Sequence, residues 1–146
     1  MTNFRYKVIQ LAKLSGFSPI ITTASLHNSN LLQSLGATHV VDRKADVPAK
    51  VAEILKGTPV QFVYDAVSEK DTQEQAWDVL SPGGTLLLIL PSQVDKDKYK
   101  DKSVYDKVIG NVHTPAVRPL GISLYSKLTS LLESGKIKVR KFTFVC

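Results

Sequence analysis

The residue types that most often bind metals or act as nucleophiles are few and far apart in this 146-residue sequence. Its histidines are His27, His39 and His113, and its one cysteine, Cys146, is the last residue. No two histidines have the spacing of a helical or finger-type metal site, and a lone cysteine excludes a disulfide within the chain. The sequence also has neither a nucleophile elbow nor a P-loop. It therefore predicts neither a bound metal nor nucleophilic catalysis.

Small and polar residues instead gather where predicted strands end. Ser25, His27 and Asn28 follow a β-branched run at residues 19–24, and Val67 and Ser68 follow another strand at residues 60–65. Open α/β sheets bind ligands at the carboxyl ends of their strands, so these positions are candidates for a binding site. The same residues also allow a simpler interpretation. Asn28 can cap the next helix, Ser25 can end a strand, and Ser68 or Asp71 can cap a later helix.

The elements that would position these residues follow from two alternating periodicities. The run TLLLIL is apolar at successive positions and must be covered on both faces, as in a parallel sheet between helices. With right-handed crossovers, the pattern predicts an α/β fold: one domain, residues 1–146, built on a doubly wound, mostly parallel sheet of about six strands. The predicted helices are residues 6–15, 28–35, 46–57, 71–80 and 120–133, the last with Leu124, Leu128, Leu131 and Leu132 inward; the predicted strands are 19–24, 39–42, 60–65, 85–90, 108–113 and 141–145.

Composition and charge argue against several classes of partner. The 19 basic and 13 acidic side chains give a net charge of +6, but the densest run, residues 95–107, alternates in sign. This predicts a solvated loop and argues against a nucleic-acid partner. No apolar run approaches the length of a membrane helix, and the first ten residues do not read as a secretory signal. With a single cysteine, these features predict a cytoplasmic protein.

Five segments, in order and in register, resemble the nucleotide-binding domain of medium-chain dehydrogenase/reductases. The segments are QLAKLSGF, IITTAS, LLQSLGATHVVDRK, FVYDAVS and SPGGTLLLIL. The pattern is most similar to the zinc-independent enoyl reductases of fungal polyketide pathways and to quinone-reductase-like enzymes. The resemblance covers about nine tenths of the chain and implies a Rossmann-like fold.

The resemblance also implies a cofactor and its contacts. No acidic residue follows the 19–24 strand before Asp42, which in the family implies NADP(H). Ser25 would contact the 2′-phosphate, and His27 and Asn28 would line it. Val67 and Ser68 would lie against the adenosine. Leu90 and Pro91, at the end of the strand predicted at 85–90, would face the nicotinamide.

The sequence departs from the family at its beginning. The family has a central strand and a glycine-rich loop before QLAK, whereas this sequence has no glycine before Gly16. The resemblance therefore implies a truncated domain without the GroES-like catalytic domain, in which the strands at 19–24 and 60–65 either close up or leave a gap that another segment fills. We expect a homodimer or higher oligomer for this reason.

Two functions remain open for such a chain. It would be the remnant of an NADP(H)-dependent enoyl-reductase-type oxidoreductase with weak or no catalysis. Alternatively, it would be a non-catalytic oligomeric binding protein. The substrate is not specified by these residues.

Overall fold

The computed structural model describes residues 3–95, 101–106 and 111–139, and the chain divides into two compact units. The first unit combines Met1–Ile20, Asn30–His39 and Gly110–Cys146, and the second combines Ile21–Ser29 with Val40–Ile109. In the described part of the chain, no helix is long and apolar enough to cross a membrane.

The first unit is helical. It contains α1 (Asn3–Leu14), most of α2 (Ser29–Leu35) and α5 (Arg118–Glu133). In α5 only Gly121 is buried, and the helix packs closely against Val112 there, since a Cβ at Gly121 would lie 2.7 Å from the Cβ of Val112. The prediction that Leu124 and Leu132 point inward is wrong, since these side chains are 39% and 40% exposed.

The second unit begins with a two-stranded sheet. Strands β1 (Ile21–Ala24) and β2 (His39–Asp42) pair, and α3 (Val47–Leu55) follows. Asp46 starts α3 as the sequence predicts: its carboxylate accepts a hydrogen bond from the Ala49 N–H at 3.1 Å. The apolar side of α3 packs into a cluster of buried residues, Val41, Val47 and Val51.

A three-stranded parallel sheet forms the rest of the second unit. Its order is β3 (Phe62–Asp65), β4 (Thr85–Leu88) and β5 (Ser103–Tyr105), and α4 (Lys70–Val79) connects β3 to β4. The face on the α4 side is the better packed, because Leu86 and Leu88 are fully buried with Trp77 and Leu80. The predicted α/β class with parallel strands is thereby confirmed.

The strands differ from the prediction in number and in position. The described residues form five strands in two sheets, which is fewer than the six or so predicted. Strand β5 lies inside the run at residues 95–107, so the prediction of a loop throughout that run is wrong. Of the predicted strand at 108–113, residues 111–113 are not a strand and the rest lies outside the described residues, as does all of 141–145.

The sheet is interrupted between β1 and β3. In the described chain β1 pairs with β2, and β3 with β4, but β1 and β3 belong to separate sheets. Both strands nevertheless share one compact unit, where Ile21 and Val60 pack against the same cluster around Val41. Of the two arrangements expected from the sequence, direct closure of the two strands is therefore not the one observed.

Candidate functional site

The carboxyl end of β3 is built around the carboxylate of Asp65, which is only 8% exposed. One carboxylate oxygen accepts hydrogen bonds from the N–H groups of Val67 and Ser68, at 2.8 and 3.0 Å. The other accepts from the hydroxyl of Thr72 at 2.7 Å. These bonds fold residues 65–69, here called the β3 loop, into a turn that leads into α4. A buried carboxylate with three donors is well satisfied, so Asp65 stabilises the turn.

Ser68 connects this turn to the next strand end. It has a positive φ of 56° and is fully buried. Its hydroxyl donates to the carbonyl of Asp65 at 2.9 Å and accepts from the Ile89 N–H at 3.0 Å. Its side chain thus presents no exposed surface to a ligand. The cofactor contact expected of Ser68 stays a prediction, whereas capping of α4 by Ser68 or Asp71 is wrong because Glu69 is the N-cap residue.

A buried glutamine on α4 makes the second connection. The Gln73 side-chain nitrogen donates to the carbonyls of Ser68 and Pro91, at 2.9 and 3.2 Å. Its side-chain oxygen accepts from the Gln93 N–H at 2.7 Å. These bonds hold residues 89–93, here called the β4 loop, beside the β3 loop. The predicted residues Val67, Ser68, Leu90 and Pro91 therefore lie in two segments that the structure brings together.

The β4 loop is also held from β5. The carboxylate of Asp106 accepts a hydrogen bond from the Ser92 N–H at 3.0 Å. While its backbone is bound in this way, the loop exposes apolar side chains: Leu90 is 48% exposed and Pro91 is also exposed. The backbone of the β4 loop is thus held by hydrogen bonds, while Leu90 and Pro91 form an exposed apolar surface. An aromatic ring could pack its flat side against such a surface.

The predicted phosphate-binding residues lie at the end of β1. The Asn28 side-chain nitrogen lies 2.8 Å from the exposed ring of His27 and donates to the Ser25 carbonyl at 3.3 Å. This amide therefore reaches back along the preceding turn, and Ser25 makes no capping bond through its side chain. Asn28 therefore contacts both Ser25 and His27, and these three residues form a group separate from the hydrogen bonds that connect the β3 and β4 loops.

Two basic residues that the sequence analysis did not select lie beside this group. The backbone N–H of Arg43 donates to the Ala24 carbonyl at 3.1 Å, which places Arg43 and the adjacent Lys44 next to Ser25. Both side chains are exposed. The Asp42 carboxylate accepts from the Lys44 N–H at 3.0 Å and so closes the turn. The available signal was the pair of basic residues directly after the predicted strand at 39–42.

Gln73 was missed as well, although its position carried a signal. It lies at the i, i+3, i+4, i+7 spacing with Ala76, Trp77 and Leu80, which are the buried residues of α4 and its end. A polar residue in a buried apolar stripe must find hydrogen-bond partners inside the protein.

Among the groups whose pKa is shifted, Tyr64 on β3 lies next to this network. Partial burial, and then the negative charge of Asp65, raise the pKa of Tyr64 above its ordinary value. Tyr64 is therefore a neutral phenol at physiological pH. Within residues 3–95, 101–106 and 111–139, no three His, Cys, Asp or Glu side chains come together as metal ligands.

Comparison with known proteins gives a consistent result. The family model for zinc-binding dehydrogenases matches residues 7–111. The chain is 30% identical to a trans-enoyl reductase of Gibberella zeae, covering 89% of this chain and 40% of the relative. It is 38% identical to a trans-enoyl reductase of Aspergillus japonicus over 85 residues, covering 56% of this chain and 24% of the relative.

A solved structure shares the fold at similar coverage. The quinone oxidoreductase of Escherichia coli, solved in complex with NADPH, superposes with a TM-score of 0.77 at 26% identity, covering 94% of this chain and 44% of that one. The chain thus spans about two fifths of the length of the enoyl reductase of Gibberella zeae, and a similar share of this solved enzyme.

Proposed function

Because the chain belongs to the zinc-binding dehydrogenase family, within the medium-chain dehydrogenase/reductase superfamily, we propose that it binds NADP(H). The cofactor would lie at the carboxyl ends of β1, β3 and β4. Ser25, His27 and Asn28 would surround the 2′-phosphate, Val67 and Ser68 would lie on the adenosine side, and Leu90 and Pro91 would face the nicotinamide.

The observation that carries this proposal is the position of Arg43 and Lys44. The hydrogen bond from the Arg43 N–H to Ala24 places two cations beside Ser25, where a phosphate would be favoured. The related quinone oxidoreductase of Escherichia coli was solved in complex with NADPH, which supports the same cofactor.

The chemistry would be that of an enoyl-reductase-type oxidoreductase. When bound, NADPH would supply a hydride to a polarised double bond, and the residues at the strand ends would hold and orient it. The described residues at the carboxyl ends of β1, β3 and β4 would contact the two ends of the cofactor, the phosphoadenosine and the nicotinamide. They offer no cluster of zinc ligands, and zinc has no role in this proposal. Because the chain spans about two fifths of the length of the enoyl reductase of Gibberella zeae, we expect weak or no catalysis by this chain alone.

Calorimetric titration of the full chain with NADPH and NADH tests the proposal. We expect NADPH to bind and Arg43→Ala to weaken its binding about ten- to hundredfold, as for the loss of one charged hydrogen bond. Binding of NADH, which has no 2′-phosphate, should be unchanged by the substitution. Lys127→Ala removes one exposed positive charge from α5 and is the matched control. Absence of NADPH binding at millimolar concentration would refute the proposal.

A non-catalytic oligomeric binding protein is the second candidate, favoured by the interrupted sheet. The inner edges of β1 and β3 present backbone groups that a further strand could pair with, and a second copy of the chain would supply it in a homodimer. Its single cysteine suits a reducing compartment, and we place it in the cytoplasm. Light scattering at micromolar concentration tests this candidate: a monomeric mass contradicts it, and a dimer without dinucleotide binding favours it over the first.

A further inference from the structure

The two segments proposed to meet the cofactor are connected by a side chain that has no exposed surface. Gln73 lies on α4, is fully buried, and makes hydrogen bonds to both the β3 loop and the β4 loop. Gln73 lies beside the proposed NADP(H) site, and the role proposed for it rests on that function.

The bonding capacity of the Gln73 amide matches its surroundings. Its nitrogen has two hydrogens, which are donated to two carbonyls, those of Ser68 and Pro91. Its oxygen accepts the N–H of Gln93. An amide group supplies two donors and an acceptor together, whereas a carboxylate only accepts and a thioether does neither well. Among side chains of this length, glutamine is the one that satisfies all three backbone groups.

The β4 loop depends on such side chains for its conformation. Strand β4 ends at Leu88, so the backbone beyond it leaves the pairing with β3 and β5. Its N–H groups at Ile89, Ser92 and Gln93 instead donate to side chains of Ser68, Asp106 and Gln73. Of these three side chains, Gln73 also donates a hydrogen bond to the loop, to the carbonyl of Pro91.

We propose that Gln73 is a positioning residue that sets the spacing between the β3 loop and the β4 loop. A dinucleotide that lies across both loops gains affinity from contacting them simultaneously, and this gain depends on their separation. A ligand that reaches only one loop does not depend on it. Gln73 therefore acts on the binding of whole NADP(H), without contacting it, by holding the two loops in one arrangement before the ligand arrives.

The test compares a whole ligand with half of it. NADPH and 2′,5′-ADP, which has the phosphoadenosine end alone, are titrated calorimetrically into the wild-type chain and Gln73→Met. We expect NADPH affinity to fall about tenfold or more and 2′,5′-ADP affinity to change less than about threefold. Equal losses for both ligands, or an unchanged NADPH affinity, would overturn the proposal.

A matched variant separates positioning from general destabilisation. Val51→Ala shortens a buried side chain on α3, in the cluster with Val41 and Val47, and changes no residue of either loop. Val51→Ala should leave the ratio of NADPH affinity to 2′,5′-ADP affinity at its wild-type value. A fall in this ratio as large as in Gln73→Met would overturn the proposal. If Gln73→Met does not fold, Gln73→Asn keeps the amide but is one methylene too short to reach all three partners, and the same comparison applies to it.

Failure of the proposed function would be visible separately. If the wild-type chain binds neither ligand, NADP(H) binding is refuted, and amide hydrogen exchange then tests whether Gln73 holds the loop. The Gln93 N–H should exchange about tenfold faster in Gln73→Met than in Val51→Ala, because its acceptor has been removed. Equal exchange rates in the two variants would show that Gln73 does not hold the loop.

Discussion

Ser68 provides the sharpest test of the network at the carboxyl end of β3, because two substitutions there have different physical consequences. Alanine removes the hydroxyl that bonds Asp65 and Ile89 but keeps a Cβ at a φ of 56°. Glycine removes the hydroxyl as well, but it adopts positive φ without strain. The structure therefore predicts a ranking in stability: wild type first, then Ser68→Gly, then Ser68→Ala.

The magnitudes follow from the buried environment. Ser68 is fully buried, so the loss of its hydroxyl leaves the Asp65 carbonyl and the Ile89 N–H to find other partners, at a cost of about 1–3 kcal/mol. Relief of strain at positive φ returns about 1–2 kcal/mol in the glycine variant. Glycine also loses more conformational entropy on folding than alanine, which reduces the stability of the glycine variant by roughly 0.5–1 kcal/mol. We expect Ser68→Gly to be more stable than Ser68→Ala by about 1 kcal/mol.

Urea unfolding followed by tryptophan fluorescence measures these differences. The chain has one tryptophan, and Trp77 is 2% exposed in the cluster beside the network, so its emission reports on this part of the structure. Ser126→Ala removes an exposed hydroxyl on α5 and should change stability by less than about 0.5 kcal/mol. A Ser68→Ala variant as stable as wild type, or more stable than Ser68→Gly, would refute the reasoning.

Two further predictions concern the start of α3 and the phenol on β3. Asp46→Ala removes the acceptor of the Ala49 N–H and should lower the free energy of unfolding, measured in urea, by about 1 kcal/mol. Lys50→Ala removes one partner of an exposed ion pair and should change it less, so equal effects would contradict the capping role. For Tyr64, burial favours the neutral phenol in the folded state. The stability that the neutral phenol contributes is therefore fully present below the ordinary tyrosine pKa of 10.0, and it is lost as the pH rises through the raised pKa of the folded state. Unfolding measured from pH 8 to 11 should therefore show a smaller alkaline loss of stability in Tyr64→Phe than in wild type, and identical pH profiles would contradict the assigned burial.

The sequence predicted much of the second unit because its elements have strong local signals. The capping residue Asp46, the buried valines of α3 and the apolar strand β4 all lie where their periodicity indicated. The motif-based resemblance to medium-chain dehydrogenase/reductases is confirmed by the family match and by the relatives. Family membership and the α/β class could be predicted because they depend on patterns that recur within short stretches of chain.

Some elements could not be predicted because pairing, rather than hydropathy, determines them. Strand β5 has the sequence SVY inside a charged run, and it is a strand because its backbone pairs with β4. For α5, the apolar spacing is clear, yet Leu124 and Leu132 are exposed. Helical periodicity shows which residues share a face, but it does not show whether another element covers that face.

The candidate site divides in the same way. By itself, the sequence determined which residues follow the strands predicted at 19–24 and 60–65, and hence that Ser25 and Val67 belong at one kind of sheet edge. It placed Leu90 at the end of a strand that stops two residues earlier, at Leu88. Only the tertiary structure decided that Gln73 holds segments on either side of it in the chain, and that β1 and β3 do not pair. The reason is physical: backbone groups that leave a strand take whichever partner the fold brings within about 3 Å, and that partner can be far away in sequence.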